Sequence, residues 1–227
     1  MPLRLYLFQI PNVNEAFLKD KISLIHIDLK KKITKHKFLK DQWHAMISSL
    51  SVKEILSKEL KVSPNALNIE LTPFGKPHLS NNQKYFNTSH SKNVSLLATD
   101  ETPVGVDIEY MEKIKDYESL IPQFSELERK EFYLRDQAAQ ERFFYELWVL
   151  KESYVKAIGK GLSCPLQSFT IRMSNDIPSH NQCVEEDESW HFKKYSLFEN
   201  YICAVCTKHT EFPKEPITIH VEELLGM

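Results

Sequence analysis

The chain has 227 residues, of which 42% are hydrophobic and 26% carry a charge, and these proportions are typical of globular proteins. The formal net charge of -2 argues against a dedicated nucleic-acid-binding protein. No apolar run approaches the roughly 18 residues of a membrane span, and the apolar start is too short for a secretory signal. The sequence therefore predicts a cytoplasmic protein that binds neither membranes nor nucleic acid.

Positive charge is concentrated near the start of the chain. Between Lys19 and Lys61 there are eleven lysines but only five acidic residues. This asymmetry indicates a surface that meets an anionic partner, although a solvated lysine-rich surface would have the same composition.

The four cysteines do not form a disulfide framework in a chain of this length. Cys203 and Cys206 lie in an apolar run with the composition of a strand, where residues three apart point to opposite faces. We expect them to be separate, reduced core thiols and not a metal-binding or disulfide pair.

The first half of the chain is predicted to contain one long helix among several strands. Residues 40–60 form this helix, because their apolar side chains recur at helical spacing in one stripe: Trp43, Met46, Ile47, Leu50, Ile55 and Leu56. The other predicted elements are a strand at 3–9, a short helix at 14–20, a strand or helix start at 23–28, strands at 67–71, 93–99 and 104–109, a loop at 72–78, and a segment at 85–91 that ends in a polar turn. The strands at 93–99 and 104–109 are expected to be joined by a turn.

The second half repeats this general order. Ser125 precedes Glu128 with the spacing of a capping box, and a second long helix begins near Gln137 and ends before Gly159, which can adopt the left-handed conformation of a C-cap. The remaining predictions are strands at 169–173, 190–196, 201–207 and 217–221 and a solvated loop at 174–189. The whole order predicts an α+β protein with subdomains at 1–110 and 111–227.

Two acidic residues lie on the predicted strand at 104–109. Asp107 and Glu109 are two apart, so both carboxylates project from one face while Val106 and Ile108 project from the other. Like charges held this closely repel each other unless a cation lies between them or one carboxylate takes up a proton. Oxygen ligands favour a hard ion such as Mg²⁺. The alternative is an edge strand with a polar solvent face.

A third carboxylate, Glu152, lies off the apolar stripe of the second long helix, with Lys151 and Lys156 near it. Glu152 and Lys156 are one helical turn apart, which by itself is typical of a solvated ion pair. If Glu152 joins the two strand acids, the set suits a magnesium-bound diphosphate, because carboxylates bind the metal and ammonium groups bind phosphate oxygens.

Further polar candidates lie in predicted loops and turns. His90 and the Ser89 hydroxyl can donate hydrogen bonds to a phosphate, although a lone histidine is more often structural. Lys76 follows Gly75, whose missing side chain lets a ligand approach the backbone.

Four motifs occur in order along the chain: Phe74-Gly-Lys-Pro-His78, Phe86-Asn-Thr-Ser-His-Ser91, Val104-Gly-Val-Asp-Ile-Glu109, and the segment from Trp148 to Leu162. Together they resemble the 4′-phosphopantetheinyl transferases of the large, surfactin-synthetase-activating type over nearly the whole chain. The resemblance implies two similar α+β subdomains that form a pseudo-two-fold dimer within one chain. The active site would lie in the cleft between them, so a monomer would be sufficient for activity.

The resemblance also implies roles for the candidate residues. Asp107, Glu109 and Glu152 would hold Mg²⁺, and Glu152 and Lys156 would be catalytic. One of the basic residues before the first long helix, Lys30, Lys31, Lys32 or Lys35, would reach the coenzyme's 3′-phosphate. Phe74 and Gly75 would lie near its adenine. With Lys151 added from its place beside Glu152, the predicted coenzyme A contacts are Lys32, Lys35, Phe74, Gly75, Lys76, Ser89, His90, Lys151 and Lys156.

One position departs from the family pattern. After the aspartate at the start of the first long helix, Asp41, the family carries an arginine that binds nucleotide phosphates, whereas this chain has His44. A histidine is shorter and only partly charged at neutral pH. Nucleotide affinity is therefore expected to be weaker or to fall as the pH rises, unless a neighbouring lysine compensates.

By resemblance, the chain is expected to transfer phosphopantetheine from coenzyme A to a serine of an acyl or peptidyl carrier protein of nonribosomal peptide, polyketide or fatty acid synthesis, with release of adenosine 3′,5′-bisphosphate. The carrier is expected to dock near residues 111–135, with Phe124 and Leu127 as candidate contacts, although packing inside the helix pair would explain these two residues as well. Two alternatives stay open: a magnesium-dependent phosphohydrolase with water as the nucleophile, and a catalytically silent homologue that only binds carrier proteins.

Overall fold

The computed structural model describes residues 3–11, 15–24, 30–31, 33–81, 83–112, 117–171 and 190–221. The helices in these ranges are α1 (Glu15–Leu24), α2 (Leu39–Leu60), α3 (Glu126–Tyr133) and α4 (Gln137–Ile158). The strands are β1 (Arg4–Gln9), β2 (Ile69–Leu71), β3 (Pro77–Leu79), β4 (Tyr85–Ser91), β5 (Val94–Asp100), β6 (Gly105–Tyr110), β7 (His191–Phe198), β8 (Tyr201–Thr207) and β9 (Ile217–Ile219). Short 3-10 helices lie at Pro64–Ala66, Tyr117–Gln123, Gly161–Ser163 and Leu166–Ser168. Within these ranges, none of the helices is both long enough and apolar enough to span a bilayer.

The strands form two main sheets and one small hairpin. The first sheet has the order β4-β5-β1-β9, the second has the order β6-β8-β7, and β2 pairs with β3. The pairing between β1 and β9 is parallel, and the others are antiparallel. β4 and β6 are therefore both edge strands, one in each main sheet.

The two main sheets lie between the two long helices. Side chains from one face of each sheet share a core cluster that includes Leu5, Leu7, Leu96, Val106, Ile108, Cys203 and Val205. The other face of the first sheet packs on α2, and the other face of the second sheet packs on α4. Each half thus contributes one long helix and one sheet, which confirms the predicted α+β class with two similar subdomains.

Local signals place the helix ends as expected. The capping box is present, because the Ser125 hydroxyl accepts from the Glu128 amide while the Glu128 carboxylate accepts from the Ser125 amide. The Asp136 side chain caps the start of α4, and Gly159 ends that helix with φ of +71°. Cys203 and Cys206 lie in core clusters on opposite faces of β8, as predicted.

Several predicted elements differ from the structure. Residues 85–91 form a strand as far as Ser91 and do not end in a turn, because β5 pairs with them along their whole length. β6 does not pair with β5 but with β8, so it lies in the second sheet although the predicted boundary placed it in the first subdomain. Conversely, β9 lies in the predicted second subdomain but pairs with β1 of the first sheet.

Other predicted segments are only partly tested by the structure. The strand predicted at 169–173 is reduced, in its described part, to a single bridge at Ile171. Most of the segment 23–28 and the whole loop 174–189 lie outside the described residues.

Candidate active site

The candidate site lies where the two edge strands meet α4. On β6, Asp107 and Glu109 face away from the core that the sheets share, because Val106 and Ile108 occupy that side. The side chain of Asp107 is almost completely buried, with 3% of the residue exposed. Its Oδ1 atom accepts hydrogen bonds from Lys156 Nζ at 2.6 Å and from the Ser89 hydroxyl at 2.9 Å. Residues from both halves of the chain therefore meet at one carboxylate.

Two of the three predicted metal-binding carboxylates, Glu109 and Glu152, have a raised pKa. Burial, followed by the negative charges of Asp107 and Glu152, raises the pKa of Glu109 to about 7. Burial and the charge of Asp107 also raise the pKa of Glu152. Lys156 lowers both values but does not cancel the repulsion. Asp107 thus lies close enough to Glu109 and Glu152 for the negative charges to repel.

One oxygen of this cluster has no protein partner. Asp107 Oδ2 is buried and receives no hydrogen bond from any of the described residues. A buried carboxylate oxygen without a donor is costly unless a further positive group reaches it. Within the described ranges, no three His, Cys, Asp or Glu side chains are already arranged around a common metal position.

Gly105 sets the distance between β6 and α4. A Cβ atom at this position would lie 1.9 Å from the backbone oxygen of Ser153 and 2.4 Å from the backbone nitrogen of Ala157. Any side chain would therefore push α4 away from the strand. The glycine in Val104-Gly-Val-Asp thus lets Glu152 and Lys156 of the helix approach Asp107.

A small cavity of about 310 Å³ adjoins the acids on the α2 side. It is lined by Lys40, Asp41, His44, His90, Ser91 and Lys92. The His44 and His90 rings are 5.3 Å apart, and His44 Nδ1 is buried without a hydrogen-bond partner among the described residues. Burial, followed by the positive charges of His90 and Lys40, lowers the pKa of His44 to about 4. His44 is therefore neutral at pH 7 in the free protein.

A larger cavity of about 430 Å³ lies at the C-terminal end of α4. Its lining includes Phe74, Lys76, His78, Tyr85, Ile158 and Trp190. Lys76 Nζ donates to the backbone oxygens of Val104 and Ala157, each at 3.0 Å, and burial lowers the pKa of this lysine to about 8. Gly75 adopts φ of +86° in the turn before it, a conformation that favours glycine.

Among the predicted coenzyme contacts that the structure describes, Phe74 and Lys76 line the larger cavity and His90 lines the smaller one. Ser89 and Lys156 bond to Asp107, but Lys151 lies elsewhere. Lys151 is 0% exposed, and its ammonium group donates to Glu128 Oε1 at 2.8 Å and to the backbone oxygen of Phe169 at 2.7 Å. It lies inside the second subdomain and is not part of the candidate site. Lys35 is exposed before α2, and Lys32 lies outside the described residues.

Phe124, one of the two candidate docking contacts, belongs instead to the core. It is completely buried in the core of the second half, so it cannot contact a partner directly. Leu127 is half-exposed on α3, and the neighbouring Tyr133 and Leu134 are more exposed still.

Sequence reasoning missed the roles of Asn87 and Ser91, which bond to β6 next to the acids. Residues 87–91 are all polar, so no alternation with apolar residues distinguishes positions 87, 89 and 91 in the sequence.

Comparison with known proteins assigns the family. A family model described as 4′-phosphopantetheinyl transferase superfamily matches residues 103–206, and one described as 4′-phosphopantetheinyl transferase, N-terminal, matches residues 12–102. The division between these models falls before β6, in agreement with the sheets.

Similar curated proteins come from bacteria and animals. The 4′-phosphopantetheinyl transferase Sfp of Bacillus subtilis (strain 168) is 30% identical over 213 residues, which are 93% of this chain and 93% of the relative. The 4′-phosphopantetheinyl transferase gsp of Aneurinibacillus migulanus is 30% identical over 83% of this chain and 79% of the relative. The human L-aminoadipate-semialdehyde dehydrogenase-phosphopantetheinyl transferase is 27% identical over 82% of this chain and 70% of the relative. With the acid and lysine cluster at the junction of its two halves, this chain belongs to the 4′-phosphopantetheinyl transferase superfamily.

Proposed function

We propose that this enzyme transfers 4′-phosphopantetheine from coenzyme A to a serine hydroxyl of an acyl or peptidyl carrier protein and releases adenosine 3′,5′-bisphosphate. The observation that carries the proposal is the cluster of Asp107, Glu109, Glu152 and Lys156, which is shared between β6 and α4 and bonded to Ser89 of the first half. Such a cluster suits a diphosphate, which needs both a metal ion and an ammonium group.

The two cavities suit the two ends of the coenzyme's nucleotide. The smaller cavity is lined by Lys40, His44, His90 and Lys92, which favour phosphate oxygens. The larger cavity has Phe74 and Trp190 in its lining, which suit the flat apolar face of adenine. Lys35, exposed before α2, would contribute further positive charge for the 3′-phosphate.

The carboxylates fit a divalent cation. Three neighbouring acids and the unpartnered Asp107 Oδ2 atom would supply the hard oxygen ligands that Mg²⁺ prefers. Asp107, Glu109 and Glu152 would hold the ion, which when bound neutralises charge on the diphosphate.

The protein's own groups supply the remaining functions. Lys156 Nζ, already directed at Asp107 and Ser89, would donate to the transferring phosphoryl group as its charge develops. Glu152 would accept the proton of the serine hydroxyl, directly or through water.

The carrier would dock beside α3. A surface groove of about 690 Å³ is lined by Ile121, Pro122, Glu126, Arg129, Lys130, Tyr133 and Leu134. Two neighbouring apolar residues of its lining, Tyr133 and Leu134, are 65% and 86% exposed, and an exposed apolar patch of this kind suits contact with a partner protein. This groove lies within the segment 111–135 that the sequence indicated for docking.

Mass spectrometry tests the transfer. Incubation with coenzyme A, Mg²⁺ and an apo carrier protein is expected to add about 340 Da to the carrier, and a carrier with its serine replaced by alanine is the control. Nucleotide release without a mass gain, across a panel of carriers, would favour the phosphohydrolase. The absence of both release and coenzyme A binding would favour the silent homologue.

His44→Arg is expected to strengthen coenzyme A binding at neutral and higher pH. In the free protein the pKa of His44 is lowered to about 4, so this side chain adds no charge to the smaller cavity at pH 7, whereas arginine stays charged. A bound phosphate would raise this pKa. The affinity of the wild type for coenzyme A should therefore fall as the pH rises above about 4, the pKa of His44 in the free protein. It should become constant once the pH exceeds the pKa of His44 in the complex.

Titration calorimetry at pH 6 and pH 8 checks this expectation. The arginine variant should bind coenzyme A about 10-fold more tightly than the wild type at pH 8, with a smaller difference at pH 6. His44→Gln is the control, because glutamine is neutral at every pH. In this variant, residue 44 should contribute no dependence of the coenzyme A affinity on pH. Equal affinities of the wild type and the arginine variant at both pH values would contradict the expectation.

A further inference from the structure

In the part of the chain that the structure describes, the edge of β6 that faces away from β8 is bonded by side chains and not by another strand. The amides of Val106, Ile108 and Tyr110 lie along this edge, and an open row of amide groups normally needs a partner. Their acceptors are side chains of β4. Asn87 Oδ1 accepts from Val106 at 2.8 Å, Ser89 Oγ from Ile108 at 3.4 Å, and Ser91 Oγ from Tyr110 at 3.0 Å.

These three residues form what we call the side-chain ladder: Asn87, Ser89 and Ser91. Each bond joins residues 19 apart in the chain, so β4 and β6 run in the same direction with a constant register. The side chains of the ladder therefore accept the hydrogen bonds that the backbone carbonyls of a parallel neighbouring strand would otherwise accept. They do so at the junction of the two halves.

Two members of the ladder also bond to the acids. The Ser89 hydroxyl donates to Asp107 at 2.9 Å, and the Ser91 hydroxyl donates to Glu109 at 3.3 Å. A hydroxyl has one proton to donate, so each serine can accept from the β6 backbone while it directs that proton to a carboxylate. Asn87 differs, because its described bond is to the backbone alone.

We propose that Ser91 is a positioning residue, which fixes the Glu109 carboxylate against β6 while the rest of the ladder fixes the register of that strand. A shift of β6 by one residue would turn both acids into the core that the sheets share, because neighbouring strand residues face opposite sides. The ladder prevents this shift at three successive points. The inference rests on the proposed function only in giving the acids their role as ligands of a divalent cation.

Ser91→Ala tests the proposal, with Ser91→Thr as the variant that keeps the hydroxyl. The matched control is Ser95→Ala, because Ser95 is a buried serine of β5 whose hydroxyl donates to the backbone oxygen of Ser89 and touches neither acid. Three quantities are measured for each variant: the affinity for Mn²⁺ by titration calorimetry without coenzyme A, kcat and KM for transfer, and the thermal midpoint.

Ser91→Ala is expected to weaken Mn²⁺ binding and to lower kcat, each by about 10-fold or more, as loss of a hydrogen bond to a metal ligand typically does. KM for coenzyme A should stay within about 2-fold, and Ser91→Thr should restore both lost quantities. Ser95→Ala should leave them unchanged at a similar thermal midpoint.

The opposite results would overturn the proposal. Wild-type Mn²⁺ affinity in Ser91→Ala, or an equal loss in Ser95→Ala, would show that the serine has only a structural role. A wild-type protein that binds no divalent cation would also overturn it. If the wild type binds Mn²⁺ but transfers nothing, the proposed function fails by itself, and the calorimetric comparison still decides the role of Ser91.

Discussion

Replacing Asp107 by alanine or Glu152 by glutamine is expected to abolish transfer of phosphopantetheine, with a loss on the order of 10³-fold. Asp107 accepts from both Lys156 and Ser89, so its removal leaves the lysine without its acidic partner and takes away one of three carboxylates. Glu152→Gln keeps the size of the side chain but removes the charge and the proposed proton acceptor. The mass gain of the carrier, followed over time, measures the rate of transfer.

Glu146→Gln is the matched control for this experiment. Glu146 lies on the same helix and pairs with Arg142 and Lys194, away from the acids. This variant should keep activity close to that of the wild type, because such pairs near the surface contribute little. Full activity in folded Asp107→Ala or Glu152→Gln would refute the assignment of the acid cluster.

Lys151→Met is expected to destabilise the fold by about 3–5 kcal/mol. Lys151 and Glu128 form an ion pair at 2.8 Å in which both side chains are buried, and Glu128 Oε1 also accepts from the Ile171 amide. Removal of the ammonium group would leave an uncompensated carboxylate in the core. Urea unfolding followed by circular dichroism measures the loss, and the thermal midpoint should fall by roughly 10 °C.

The double variant Glu128→Gln with Lys151→Met is the test of this mechanism. It removes both charges while the amide oxygen of Gln can still accept from Ile171, so the destabilisation should be smaller than the sum of the two single changes. If Lys151→Met kept the stability of the wild type but lost affinity for coenzyme A, the contact predicted from sequence would be right and the buried pair unimportant.

Short-range patterns in the sequence were sufficient for the two long helices. The apolar stripe predicted α4, the spacing of Ser125 and Glu128 predicted the capping box, and Gly159 predicted the helix end. These features depend on residues within about one or two turns of each other, so they can be read locally. The acids at 107, 109 and 152 could also be selected as a set, because strand alternation and the ordered motifs both indicated them.

Lys151 shows the limit of such reasoning. A lysine beside a candidate catalytic glutamate resembles a ligand for phosphate, and lysine is rarely buried. It is buried here because Glu128, on another helix, supplies the opposite charge and the Phe169 carbonyl a second acceptor. Neither partner is near Lys151 in sequence, so its local neighbours could not indicate its place.

By itself, the sequence determined the two long helices, most of the strands and the family, and it indicated the acids of the cluster. Only the tertiary structure decided that β6 pairs with β8, that the ladder of β4 bonds its other edge, and that Phe124 and Lys151 lie in the core. The physical reason is the distance along the chain between the residues that interact. Helix stripes and caps arise from contacts along a few residues, whereas the partner of an edge strand or of a buried charge is chosen by packing between segments far apart in the chain.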